Sequence, residues 1–167
     1  VGSVAISLLS NLGFSVIAST GRLSETEYLK SIGASSVIDR SELSEPSKPL
    51  GKERWSAAID SVGSQTLSNV IAQTKYGGAV SACGLAQGMD LPSTVLPFIL
   101  RGVSLIGIDS VMAPMSKRER AWDRLSKDLN MDKLAEMVVE TNLDEIQSFA
   151  QLILDGQVRG RVVVNIS

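Results

Sequence analysis

The chain has no histidine and one cysteine, Cys83, in 167 residues. Without histidine it lacks the usual general base near neutral pH and the commonest metal ligand, so no metal site is expected. A single thiol excludes an intramolecular disulfide and fits a reducing cytoplasm. No apolar run approaches the roughly 20 residues of a bilayer span, and no signal-peptide pattern precedes the first predicted helix. A net charge of -2 gives no electrostatic footprint for nucleic acid. What is present is an apolar fraction of 44%, enough for a sizeable core, and a charged fraction of 20%. These features predict a soluble, cytoplasmic protein without nucleic-acid or membrane partners, built as one domain or one domain plus part of another.

Helix-like and strand-like patterns alternate through the first two-thirds. Val4, Ala5, Leu8, Leu9 and Leu12 share one helix face, Gly13 stops it, and 14–18 reads as a short buried strand. Ser24 and Glu27 form a candidate capping box for a helix ending at Gly33. Residues 36–38 follow as a strand, and 41–54, with Pro46 and Pro49, as a long surface loop. A strand at 57–60, a helix at 65–75 closed by Gly77-Gly78, and strands at 79–83 and 104–108 complete the series. Short strands separated by helices imply βαβ crossovers, hence an α/β fold with a doubly wound parallel sheet. Beyond Ser110 the pattern changes to helices opened by Ser116 and Asn142 and a lone closing strand, 162–166. The expected division is 1–115 for a nucleotide-binding domain and 116–167 for C-terminal helices and a strand that pack elsewhere.

In doubly wound folds a glycine-rich turn and the helix after it hold a pyrophosphate. Val1 and Gly2, entering the first helix, could be the tail of such a turn; a plain turn gives the same residues. The tip of the second strand, about 20 residues past the glycines, faces the adenosine ribose. Here that tip is Ser19-Thr20-Gly21-Arg22, with no acid before Glu25. Hydroxyls, a glycine and a guanidinium suit a 2′-phosphate rather than a free 2′-OH. Arg40, after the neighbouring strand, could converge on the same phosphate, so NADP(H) is expected over NAD(H). Either arginine alone could equally be a solvated surface charge. Cys83, Gly84 and Leu85 end one strand, and Ile108, Asp109 and Ser110 follow another, where a nicotinamide would sit. Cys83 by itself reads as a small buried hydrophobe, Asp109 as a local cap, and Trp55 and Trp122 as packing residues. The Lys117, Arg118, Arg120 cluster reads as a solvated helix face.

The stretches VGSVAISLLSNLGFSVIASTGR, YLKSIGASSVIDR, AAIDSVG, YGGAVSACGLA, LPFILRGVSLIGIDSV and ILDGQVRGRVVVNI resemble the medium-chain dehydrogenase/reductase family. The resemblance is strongest to its zinc-independent, quinone-oxidoreductase-like branch with the NADPH-dependent acryloyl-CoA reductases. It implies a Rossmann-like NADP(H) domain whose first strand, and an N-terminal catalytic domain, lie outside this sequence. It also implies that Val1 and Gly2 end the cofactor loop and that Thr20, Gly21 and Arg22 contact the 2′-phosphate. Arg40 falls at another phosphate-facing position, the 83–85 and 108–110 loops line the nicotinamide, and Arg161 lies in a segment returning near the cofactor. The implied substrate is a small unsaturated thioester or carbonyl, most simply acryloyl-CoA reduced to propanoyl-CoA. The alternatives are a quinone or other enone, and a nucleotide-binding module without turnover. The family's sixth strand, here 104–108, commonly pairs across a homodimer axis. No catalytic residue is assigned within the chain.

Overall fold

The computed structural model describes residues 1–166; Ser167, the last residue of the expected C-terminal segment, lies outside them. The elements run α1 (Gly2–Asn11), β1 (Ile17–Thr20), α2 (Thr26–Ser31), β2 (Ser36–Asp39), β3 (Trp55–Asp60), α3 (Ser64–Ala72) and β4 (Thr74–Ala82). Then follow α4 (Leu96–Arg101), β5 (Ser104–Gly107), α5 (Met115–Asp128), α6 (Met131–Ala135), β6 (Val138–Asn142), α7 (Ile146–Leu154) and β7 (Arg161–Asn165).

Every strand pair is parallel, as the alternation of short strands and helices predicts. The strands form β1-β2, β3-β4-β5 and β6-β7. In the doubly wound order 3-2-1-4-5-6, the first two groups are the strands on either side of the first. No described strand stands between β1 and β3. Two apolar clusters follow from this division. Ile6, Ala18, Leu29, Ile32 and Ala34 pack with Met137 under β1-β2. Leu43, Leu67, Val70, Ile71, Val80 and Val103 form the core of β3-β4-β5. Each fully buried aliphatic side chain contributes about 1.5–3 kcal/mol. Met137, just ahead of β6, joins the first cluster, and Asn11 Nδ2 donates to Asp128 O at 2.7 Å. The C-terminal elements therefore rest on the opening helix.

Several local expectations are corrected. Gly77-Gly78 does not close a helix: α3 ends at Ala72, and β4 starts at Thr74 and runs through both glycines. Buried Thr74 turns its hydroxyl back to Val70 O at 2.8 Å and pairs with Trp55, so the chain is extended before the glycines arrive. The closing strand is not alone, because β6 pairs with β7 along its whole length. The β-branched Val138, Val139 and Thr141 form that strand between two helical segments. Ser116 and Ser24 cap nothing; Pro114 precedes α5, and a 3-10 turn, Leu23–Glu25, leads into α2. The segment Leu96–Arg101 forms α4, although its apolar run shows no clear period. Trp55 packs as expected, donating its indole N–H to Val70 O at 3.0 Å, but Trp122 is 68% exposed.

Candidate functional site

Two clefts open where strands end. The larger, about 270 Å³, is lined by Val1 and by Gly2 and Ser3 of α1, by Ser19, Thr20 and Arg22 at the end of β1, and by Glu25 and Tyr28 beyond it. Its far wall is the loop Val158, Arg159, Gly160 and Arg161 entering β7. α1 has no side-chain cap and no acid in its first turn. The first N–H groups of any helix lack intrahelical partners and carry the positive end of its dipole. Here they border a cleft that also holds three guanidinium groups and one carboxylate. That donor set fits a phosphate or pyrophosphate.

Local bonding fixes the β1 end. The Arg22 N–H donates to Thr20 Oγ1 at 3.1 Å, turning the chain at Gly21. Arg22 Nη2 donates to Val158 O at 3.2 Å, tying the β1 tip to the loop before β7. Arg40 follows β2, and its guanidinium lies directly over Gly21: a Cβ there would stand 3.1 Å from Cζ and overlap Nη2. Only glycine leaves that space. Parallel pairing of Thr20 with Asp39 puts both strand tips at one edge, with the Arg22 side chain in the larger cleft and the Arg40 guanidinium over Gly21. Arg40 also lines the second cleft, about 210 Å³, with Ser44, Val62, Ala86 and Gln87. That cleft joins the end of β2 to the ends of β3 and β4. Gly160 serves the far wall: its φ is +69°, and a Cβ would overlap Met137 O. The Arg161 N–H donates to the same carbonyl at 2.9 Å.

The remaining predicted residues lie on the neighbouring strand ends and line neither of these clefts. The Cys83 N–H and its Sγ–H both donate to Asp60 O, at 2.9 and 3.1 Å. Cys83 is exposed rather than the buried hydrophobe expected from its type. Gly84 crosses tightly over Ser61, and Leu85 is exposed. The Ile108 N–H donates to Ala82 O at 2.9 Å, setting the β5 end beside the β4 end. Asp109 does cap locally: its Oδ1 accepts from the Val111 and Met112 N–H groups at 2.9 Å each, and these two bonds hold its carboxyl below the ordinary value. Ser110 O accepts from Arg118 Nη1 at 2.9 Å, so Arg118 is not a free surface charge. Beneath the β3 end lies Asp60, 4% exposed, whose Oδ2 accepts from the Gly63 N–H at 2.8 Å. Burial pushes its carboxyl up, against the lowering effect of the Gly63 and Val62 N–H bonds.

Sequence reading missed Glu25, Tyr28, Val158 and Arg159. Arg159 lies two residues before the predicted Arg161, which was the available signal. Glu25 and Tyr28 lie three residues apart, but they reach the cleft only because the 3-10 turn folds them back toward β1. Among the described residues, no group of three or more His, Cys, Asp or Glu side chains could hold a metal ion.

Residues 1–127 match the family described as zinc-binding dehydrogenase. The chain belongs to that family. This settles the medium-chain dehydrogenase/reductase resemblance in its favour. The chain is 49% identical over 168 aligned residues to acrylyl-CoA reductase AcuI of Ruegeria pomeroyi, covering 100% of this chain and 51% of AcuI. It superposes with a TM-score of 0.95 and 49% identity on Escherichia coli YhdH solved with bound NADPH, covering 99% of this chain and 51% of YhdH. It is 44% identical to the putative quinone oxidoreductase YhfP of Bacillus subtilis, over 99% of this chain and 51% of YhfP. YhfP solved with bound NAD gives a TM-score of 0.92. The chain thus spans about half the length of these zinc-binding dehydrogenase relatives.

Proposed function

We propose that this chain is the cofactor-holding part of an NADPH-dependent reductase that saturates an activated C=C bond, with acryloyl-CoA to propanoyl-CoA the favoured conversion. The observation that carries the reading is the Arg40 guanidinium lying over Gly21 at the β1–β2 tips, with Arg22 in the adjoining cleft at the uncapped start of α1. In this reading Val1, Gly2 and the first N–H groups of α1 receive the pyrophosphate, while Thr20, Gly21, Arg22 and Arg40 hold the 2′-phosphate. Arg161 closes the far side. The backbone at Cys83, Gly84 and Leu85, and at Ile108, Asp109 and Ser110, frames the nicotinamide. When bound, NADPH supplies a hydride for the β-carbon of the unsaturated thioester, and protonation at the α-carbon completes the reduction. The chain's part is to orient the cofactor; oxyanion donors and the proton source belong to the substrate side. Similarity to AcuI and to NADPH-bound YhdH supports the reading.

We further infer that 1–115 forms the cofactor domain and that 116–167 returns toward a substrate domain. Pairing of two copies through β5 would cover the half-exposed Ile106 and Ile108 at that sheet edge. The setting is cytoplasmic; among the described residues no helix is long and apolar enough to cross a membrane. A quinone or enone acceptor is the second reading, favoured by the likeness to YhfP. The test is NADPH oxidation by the full-length protein with acryloyl-CoA and with quinones. Turnover with acryloyl-CoA well above that with quinones is expected. The reverse order selects the second reading, and no turnover with either leaves a non-catalytic nucleotide-binding module.

A further inference from the structure

The phosphate cleft contains a carboxylate in an awkward place. Glu25 lines it beside Arg22, near the strand tip where an acid would accept hydrogen bonds from a free ribose 2′-OH and repel a 2′-phosphate. Its side chain is only 22% exposed, so water screens its charge poorly. The structure also holds its neutraliser. Arg159 Nη1 lies 3.5 Å from Glu25 Oε2, and the Arg159 guanidinium stacks 4.6 Å from the centre of the Tyr28 ring. The Tyr28 hydroxyl has no hydrogen-bond partner among the described residues, so the ring is placed by packing and by this stack. The loop carrying Arg159 is fixed independently by the bond from Arg22 to Val158 O and by the close approach of Gly160 to Met137.

Resting on the NADPH reading above, we propose that Arg159 is a positioning residue for cofactor choice. By pairing with Glu25 it cancels a carboxylate that would otherwise turn the cleft toward NADH. Arg159 sets specificity through Glu25, and Tyr28 holds it in place by stacking. The last loop before β7 therefore takes part in choosing the cofactor, although Val158 lies 136 residues from Arg22 in sequence.

The test uses the full-length protein and the dissociation constants of NADPH and NADH, read by nicotinamide fluorescence, with melting temperature followed for each variant. Arg159→Ala is expected to weaken NADPH about tenfold and NADH far less, so that the preference falls by nearly the same factor. Arg159→Lys, which keeps the charge, restores most of it. Glu25→Gln must tighten NADPH more in the Arg159→Ala background than in the wild type, because only there is the carboxylate uncancelled. Equal effects in both backgrounds would overturn the proposal, as would an unchanged preference in Arg159→Ala. If Arg22→Ala with Arg40→Ala abolishes the preference while Arg159→Ala does not, the NADPH reading stands and this inference falls. If the wild type has no preference for NADPH, both fall.

Discussion

Replacing Gly21 with alanine separates two quantities that most site mutations change together. A Cβ at position 21 would overlap Arg40 Nη2 and crowd Cζ and Nε at 3.1 and 3.2 Å, with nothing else among its three nearest atoms. The obstacle is the far end of a flexible side chain, so the backbone need not move. Gly→Ala where the backbone permits it stabilises by about 0.4–1 kcal/mol through the unfolded chain. Displacing an exposed guanidinium costs at most a comparable amount. The melting temperature should therefore stay within about 2–4 °C of wild type, the shift that 1 kcal/mol produces in a protein of this size. Binding should respond differently. A charge-assisted hydrogen bond from Arg40 to a 2′-phosphate is worth about 1.5–3 kcal/mol, roughly a ten- to hundredfold loss of NADPH affinity once the guanidinium is pushed aside. NADH, without that phosphate, should change little. Calorimetric titration with both cofactors and a thermal melt are the assays. An unchanged ratio of the two affinities would refute the placement of Arg40, and a large fall in melting temperature would refute the account of what surrounds Gly21.

Gly160→Ala should behave in the opposite way. Its Cβ meets a backbone carbonyl at a φ of +69°, so a stability loss of about 1–3 kcal/mol is expected in thermal unfolding, together with weaker binding as Arg159 and Arg161 shift. Asp60→Ala leaves the buried Gly63 N–H without its acceptor and should cost about 1–3 kcal/mol in denaturant unfolding, whereas Asp60→Asn keeps an acceptor and should cost less. Because burial raises the Asp60 pKa above 3.8, its contribution is fully present below about pH 3.8 and is lost as pH rises through the raised value. The stability of wild type relative to Asp60→Asn should thus fall across that window; a rise would contradict the assignment. Asp39 and Asp109 run the other way: both are held low by backbone N–H groups, so their contributions are lost only as pH falls below 3.8.

The parallel α/β fold was legible because each short apolar strand is followed by a helix with its own period, and the β1 tip because it stands at a fixed interval from α1. Boundaries failed where tertiary pairing overrode local signals. Thr74 was drawn into β4 by Trp55, and Gly77-Gly78 were carried into the strand with it. β6 escaped notice because Val138–Asn142 gains its partner only from β7, a long way down the chain. Ser24 and Ser116 have the letters of helix caps, yet Ser24 sits inside a 3-10 turn and Ser116 is already the second residue of α5. In the cleft, the residues near the strand tips were expected from spacing together with the family resemblance. Glu25, Tyr28 and Arg159 were not, because a stack and an ion pair between distant segments leave no periodic trace in sequence.

The central claim is that the β1–β2 tips select a 2′-phosphate. Its most direct test is the ratio of NADPH to NADH dissociation constants in the full-length protein, measured for wild type and for Arg22→Ala with Arg40→Ala. The account predicts a strong wild-type preference for NADPH that collapses toward parity in the double variant while NADH binding persists. A wild-type protein that binds both equally, or a double variant that keeps its preference, would contradict it.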